Sequence, residues 1–283
     1  MIKKLIYTCC KNNIRRSESN ETLLERDILN YNIGKLVGEG KFGKVYVCYN
    51  KVNNKNYAIK KSVKRNYLFS NELKYLRMIY HSSIIRLHDS FIYEGHHYLV
   101  IDYYKDGDMF TYIKKYHDFD EDITRKIILN ILRPLLFLKQ QKAVHLDVKP
   151  ENYLLRDRNN LDFVLTDLGT MKDYKEYNKE YKLTNIVGTK IYAAPEVLNK
   201  RYNSKSDIWS LGQIILILVS GNIIEYKENY TQLDIYDIIR SFNISRGSFN
   251  LLKRCLNIDF KSRIKLEDII DDKWIEDYYL DKL

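Results

Sequence analysis

The chain has 283 residues, enough for one large domain or two lobes around a cleft, and its 30% charged and 45% hydrophobic content is that of an ordinary folded protein. Its 47 basic residues against 37 acidic ones leave +10, which suits an anionic ligand such as a nucleotide and decides nothing about fold. Cys9, Cys10, Cys48 and Cys255 have no spacing for a zinc site or a disulfide framework, so a reducing, cytoplasmic setting is expected.

The first 30 residues read as a basic extension, with Lys3, Lys4, Lys11, Arg15 and Arg16 against Glu18 and one helical turn near Glu21 to Leu29. Its apolar stretch is too short for a secretory signal, and Ile2 excludes N-myristoylation. From Tyr31 the pattern turns to period two. Ile33, Leu36, Val45, Val47 and Tyr49 alternate with polar residues, and Tyr57-Ala58-Ile59-Lys60 resumes the apolar run after an Asn53-Asn54 turn, as in an antiparallel sheet. Gly38-Glu39-Gly40-Lys41-Phe42-Gly43-Lys44-Val45 fits G-x-G-x-x-G-x-V, whose glycines let backbone N–H groups approach phosphate. Dinucleotide folds place such a run between strand and helix; strand-like residues on both sides here favour a hairpin lid.

Leu68, Glu72, Leu76 and Ile79 share one face of a helix predicted over 68–79. A carboxylate on an apolar face is costly unless paired, which points to Glu72 as the partner of Lys60, an exposed helix charge being the bland alternative. Two more strands, over 84–92 and 98–101, flank a Glu94-Gly95 turn, and the pattern ends in the polar stretch Asp102 to Gly107. Beyond it Ile123, Ile127, Ile128, Ile131, Leu132, Leu135 and Leu136 recur at helical spacing, behind Asp118, Asp120, Glu121 and Asp122 at the positive end of the dipole. Pro134 should bend this helix. The run Ile214 to Val219 is too short and too interrupted by polar neighbours to span a bilayer, so no transmembrane segment is expected.

Chemistry concentrates in His145-Leu146-Asp147-Val148-Lys149-Pro150-Glu151-Asn152 and Thr166-Asp167-Leu168-Gly169, the second delivered by a short strand over 162–165. One carboxylate can accept a hydroxyl proton, Asn152 and Asp167 can hold metal ions, and Lys149 can neutralise phosphate charge, which is the minimum kit for phosphoryl transfer.

These segments, in this order, resemble the catalytic domain of eukaryotic protein kinases: H-R-D-x-x-x-x-N, D-F-G, the glycine loop, Lys60 in Y-A-I-K, Gly188-Thr189-Lys190-Ile191-Tyr192-Ala193-Ala194-Pro195-Glu196 and Ser206-Asp207-Ile208-Trp209-Ser210-Leu211-Gly212. Gly188-Thr189 is the serine/threonine form. Leu146 stands where the family has arginine and Leu168 where it has phenylalanine. The resemblance implies an α+β, two-lobed protein kinase-like fold in 31–283. An N-lobe (31–101) with a five-stranded antiparallel sheet and one helix joins a mainly helical C-lobe (108–283) through a hinge at 102–107.

By the same resemblance the reaction is transfer of the ATP γ-phosphoryl group to Ser or Thr of protein substrates, with Mg²⁺ or Mn²⁺. Asp147 orients the hydroxyl and takes its proton, Lys149 steadies the phosphoryl group, and Thr189 contacts both. Lys60, held by Glu72, places the phosphates, and Asn152 and Asp167 bind metal. The nucleotide bed is Val37, Gly38, Glu39, Gly40, Lys41, Phe42, Gly43, Val45, Ala58, Lys60, Ile101 as gatekeeper, Asp102 and Tyr104 at the adenine edge, Asp108 at the ribose, and Leu154. Arg263 is placed to pair with Glu196. Glu151 and Asp108 stand where basophilic members carry acids, implying substrates with Arg or Lys upstream of the phosphosite. Leu146 offers no donor to a phosphorylated activation loop, with Thr184 the nearest site, so the unphosphorylated form is expected to be active. A monomer without specific nucleic-acid binding is expected. The alternative is a scaffold that binds nucleotide without efficient transfer, resting on Leu146 and Leu168 alone.

Overall fold

The structure is a computed structural model that describes residues 28–40, 43–62, 67–117 and 119–280. The expected extension before Ile28, Lys41 and Phe42 of the glycine-rich turn, and Asp118 lie outside the described residues.

Strands β1 (Tyr31–Gly40), β2 (Gly43–Asn50), β3 (Lys55–Ser62), β4 (Leu87–Tyr93) and β5 (His96–Ile101) form one antiparallel sheet in the order β1-β2-β3-β5-β4. Register decides what each face carries. Val45 opposes Lys60, Lys60 opposes Leu99 and Ala58 opposes Ile101, so these residues share the face turned to the helical lobe. Cys48, Tyr57, Ile59, Phe91, Tyr98 and Val100 share the other face and form a separate small core. Burial on both faces explains why β3 and β5 read as apolar runs rather than alternation. Helix α1 (Tyr67–Met78) begins and ends one residue earlier than its periodicity predicts. The strand expected from Ile84 begins only at Leu87. Ile84 instead bridges Leu165 and Ile85 donates to the Leu165 carbonyl (2.9 Å), stitching the sheet lobe to the helical one.

Asp108 caps α2 (Met109–Tyr116) and Asp120 caps α3 (Glu121–Gln140), each accepting a backbone N–H at 2.7 Å. Pro134 is buried inside α3, which runs on to Gln140 without a break. Short strands follow: β6 (Ala143–Val144) pairs with β9 (Lys172–Asp173), β7 (Tyr153–Asp157) with β8 (Asp162–Leu165), and β10 (Tyr181–Lys182) with β11 (Arg201–Tyr202). Helix α4 (Pro195–Leu198) precedes β11, and α5 (Ser206–Ser220), α6 (Gln232–Ser241), α7 (Arg246–Cys255), α8 (Leu266–Ile270) and α9 (Lys273–Leu280) complete the helical lobe.

Helix α5 is buried nearly all round, yet it carries a polar residue at every third position. Asp207 accepts from the N–H groups of His145 (2.7 Å) and Leu146 (2.8 Å), Ser210 donates to the Tyr192 carbonyl (2.8 Å), and Gln213 exchanges two bonds with Ile224. Arg263 forks onto both oxygens of Glu196 (2.8 and 3.0 Å) with both side chains buried. Burial disfavours ionised Glu196, but Arg263 outweighs it and holds that carboxyl below its usual range. Among the described residues no helix is long and apolar enough to cross a membrane.

Candidate active site

Between the lobes lies a cavity of about 530 Å³. Val37, Gly38, Val45, Ala58, Lys60, Glu72, Ile101, Asp102, Tyr104, Asp108, Asn152, Leu154 and Asp167 line it, so the structure gathers most of the predicted nucleotide bed around one space. Glu39, Gly40 and Gly43 lie at the end of the β1–β2 hairpin and outside that lining. Leu36, Tyr103, Glu151 and Thr166 line it too, though sequence reasoning assigned none of them to the nucleotide. Leu36 joins Val37 because β1 slips register on both sides of Leu36, which upsets strict alternation.

At the inner end Lys60 Nζ meets Glu72 Oε2 at 2.6 Å and Asp167 Oδ1 at 3.4 Å. Burial alone would lower the Lys60 pKa; the two carboxylates more than reverse this and keep the amine protonated. Asp167 is likewise penalised by burial, and Lys60, His145 and Lys149 together bring its carboxyl below the usual range. Its backbone is left-handed, with φ of 59°. Asn71, beside Glu72 on α1, donates to the carbonyls of Gly169 (2.8 Å) and Met171 (3.0 Å). In the sequence it reads as an ordinary polar helix residue; adjacency to Glu72 is its only signal.

The second cluster is built on Asp147. Thr189 gives its backbone N–H and its hydroxyl to Asp147 Oδ1, both at 2.8 Å. Asn152 donates to the Asp147 carbonyl (2.7 Å) and to Oδ2 (3.2 Å), and Lys149 stands 3.0 Å from Oδ2 while donating to Thr189 Oγ1 at 2.7 Å. Leu146 is buried with φ of 65°, and its N–H is held by Asp207. Glycine is required at 188: φ is +75°, and a Cβ there would lie 2.2 Å from the Leu146 carbonyl oxygen. The end of the long loop is thereby pressed onto the catalytic loop.

In the connection after β5 the Asp102 carboxylate bonds His88 Nε2 (2.6 Å), the Arg86 N–H (3.2 Å) and the Tyr104 hydroxyl (3.3 Å). Its own N–H goes to the Arg86 carbonyl (3.3 Å).

The protein kinase domain family matches the chain over residues 31–275. Calcium-dependent protein kinase 4 of Plasmodium berghei (strain Anka) is 33% identical over 258 residues, covering 85% of this chain and 48% of that protein. Serine/threonine-protein kinase 33 of Mus musculus is 30% identical over 267 residues, covering 87% of this chain and 54% of that protein. CBL-interacting protein kinase 30 of Oryza sativa subsp. japonica is 30% identical over 276 residues, covering 92% and 56%. The chain spans about half the length of these curated relatives.

Proposed function

This chain belongs to the protein kinase domain family, and we propose that it transfers the γ-phosphoryl group of ATP to Ser and Thr hydroxyls of proteins, through a catalytic domain over 31–283 hinged at 102–107. The observation that carries this is the fixed carboxylate of Asp147. Two Thr189 donors at 2.8 Å hold one oxygen while Lys149 and Asn152 hold the other, and Asn152 itself lines the cavity that also holds Lys60, Glu72 and Asp167. A carboxylate so oriented can align an incoming hydroxyl and receive its proton. Lys149, shared between Asp147 and Thr189, is placed to meet charge on the transferred group, and Lys60 to bind the phosphates behind it.

Asn152 and Asp167 present oxygen donors on the cavity wall, too few for a cage of their own but suited to Mg²⁺ or Mn²⁺ that completes its shell with phosphate oxygens and water. When bound, such an ion offsets the charge of the phosphate chain. Leu146 and Leu168 are buried and occupy no position that touches the reaction, so they give a scaffold reading no support.

Substrates with a basic residue upstream fit the free acid at Glu151. It lines the cavity beside Tyr192, and its Oε2 is buried with no hydrogen-bond partner among the described residues. Asp108 spends one oxygen capping α2 and keeps the other. Buried Cys48 and Cys255, whose thiols are pushed up to about 11 and about 12 by burial, suit a reducing cytoplasmic setting. The test is transfer of labelled γ-phosphate to a generic basic protein beside an Asp147→Asn control; equal labelling by both would overturn the reading. A peptide array favouring acidic or proline-directed sites would refute the substrate preference.

A further inference from the structure

Helix α1 reaches the loop that follows Asp167 with two adjacent side chains. Glu72 acts at one remove, through Lys60, and the final contact to Asp167 is a loose 3.4 Å. Asn71 acts directly. Its Nδ2 donates to the carbonyls of Gly169 at 2.8 Å, in the middle of the single turn Leu168–Thr170, and of Met171 at 3.0 Å, the residue that ends that turn. Because both acceptors are carbonyls, both amide hydrogens are spent and the amide can sit only one way round.

Asp167 needs such a restraint. Its left-handed backbone, φ 59°, is one that an L residue keeps only where its surroundings over-determine it. Helix α1 is also unusually near: a Cβ on Gly169 would lie 3.2 Å from the Leu68 carbonyl oxygen and 3.4 Å from Asp167 Oδ1. Leu68, Asn71 and Glu72 share one face of α1, so the close approach, the amide clamp and the ion pair act on the same side.

We infer that Asn71 is a positioning residue, fastening the turn that carries Asp167 to the helix that carries Glu72 so that the metal-binding oxygen and the Lys60 ammonium face the phosphates in fixed relation. This rests on the proposed phosphotransfer reading. It separates two contributions to nucleotide affinity. Contacts to Lys60 and the cavity wall do not pass through Asn71, whereas the increment due to Mg²⁺ depends on Asp167 being held.

Calorimetric titration of the full chain with ADP, once with Mg²⁺ and once with EDTA, tests this in the wild type and in Asn71→Ala, Asn71→Leu and Asp167→Ala. Leucine keeps the branched shape without lowering helix propensity and lacks the donor. In both Asn71 variants the tightening by Mg²⁺ should shrink by about tenfold, roughly 1.4 kcal/mol, with ADP affinity in EDTA changed by less than about twofold. Thermal midpoints measured alongside report folding. A full Mg²⁺ increment in Asn71→Leu would reduce the side chain to a space filler and overturn the inference. So would an equal loss with and without Mg²⁺, the mark of a merely structural part. If the wild type shows no Mg²⁺ increment, or Asp167→Ala keeps it, the phosphotransfer reading itself fails. The failure of Asn71 alone is recognised by normal behaviour of those two controls.

Discussion

Removing phosphate from the long loop should leave the enzyme working. Residue 146 is a buried leucine with nothing to offer a phosphate, and Thr184 is exposed. The loop is held by other means. Its start pairs β9 with β6, its middle pairs β10 with β11, and three tyrosines fasten the stretch between. Tyr202 donates to the Asp173 carbonyl (2.8 Å), Tyr174 to the Lys139 carbonyl (3.1 Å), and the Tyr181 hydroxyl accepts from the N–H groups of Lys175 (3.0 Å) and Glu176 (2.8 Å). Lys172 is bonded to the Tyr67 hydroxyl at the start of α1. At about 1 kcal/mol net per hydrogen bond, the tyrosine hydroxyls alone supply roughly 4 kcal/mol toward the ordered loop, a factor near 10³. A phosphate added to a loop already ordered has little left to gain. Thr184→Ala, or phosphatase treatment, should therefore change kcat less than about fivefold, roughly 1 kcal/mol, in a steady-state transfer assay. Conversely, Tyr181→Phe combined with Tyr202→Phe gives up about 3 kcal/mol and should speed limited proteolysis within the loop on the order of a hundredfold. A hundredfold loss of activity on dephosphorylation, restored by rephosphorylation at Thr184, would refute the reasoning.

Asp147→Asn should lower kcat by several powers of ten with nucleotide affinity nearly kept, whereas Lys60→Met should abolish turnover by misplacing the phosphates; normal turnover in either sinks the mechanism. Arg263→Ala strands the buried Glu196 carboxylate and should cost about 3–5 kcal/mol in urea unfolding, a loss below about 1 kcal/mol counting against a buried pair. His81 stacks on Phe137 (4.6 Å), its Nδ1 accepts the Ser83 N–H (3.1 Å), and burial, with Arg133 and Arg156 near, lowers its pKa to about 4. The folded state therefore binds fewer protons than the unfolded chain between about pH 6.5 and 4, so stability should fall as pH drops through that window, by up to about 1.4 kcal/mol per unit. His81→Asn should flatten this slope in urea midpoints compared at pH 7 and 5; an unchanged slope would show that other groups carry it.

The residues whose meaning is local were the ones legible in the sequence. Asp147, Lys149 and Asn152 sit within one short loop, and helical spacing put Glu72 on an apolar face where an acid must have a partner. Thr189 is different. Its bond to Asp147 joins residues 42 apart in sequence, and only the family resemblance pointed to it. Asp108 was expected at the ribose, but its cap on α2 is equally a matter of short-range chemistry. The bridges β6–β9 and β10–β11 are two residues long and have no periodicity to detect. Asn71 was illegible for a plainer reason: its partners are backbone carbonyls, which every residue possesses, so nothing in the sequence advertises them.

The polar edge of α5 has a bearing on how this architecture can drift. Asp207 holds the catalytic loop, Ser210 holds the turn after Thr189, and Gln213 holds the start of the next connection. All three attachments are measured off one rigid rod, with about 1.5 Å and 100° per residue. An alanine inserted between Asp207 and Ser210 would swing one anchor about 100° from the other and part the two loops, although both kept every residue. An insertion of similar size in the polar connection 225–231 would leave all three attachments in place. Spacing along the buried helix thus constrains the site more tightly than the side chain at 146 does. Asp207 grips the backbone N–H groups of His145 and Leu146, which any residue but proline supplies, and so Leu146 presents Asp147 as well as another residue would.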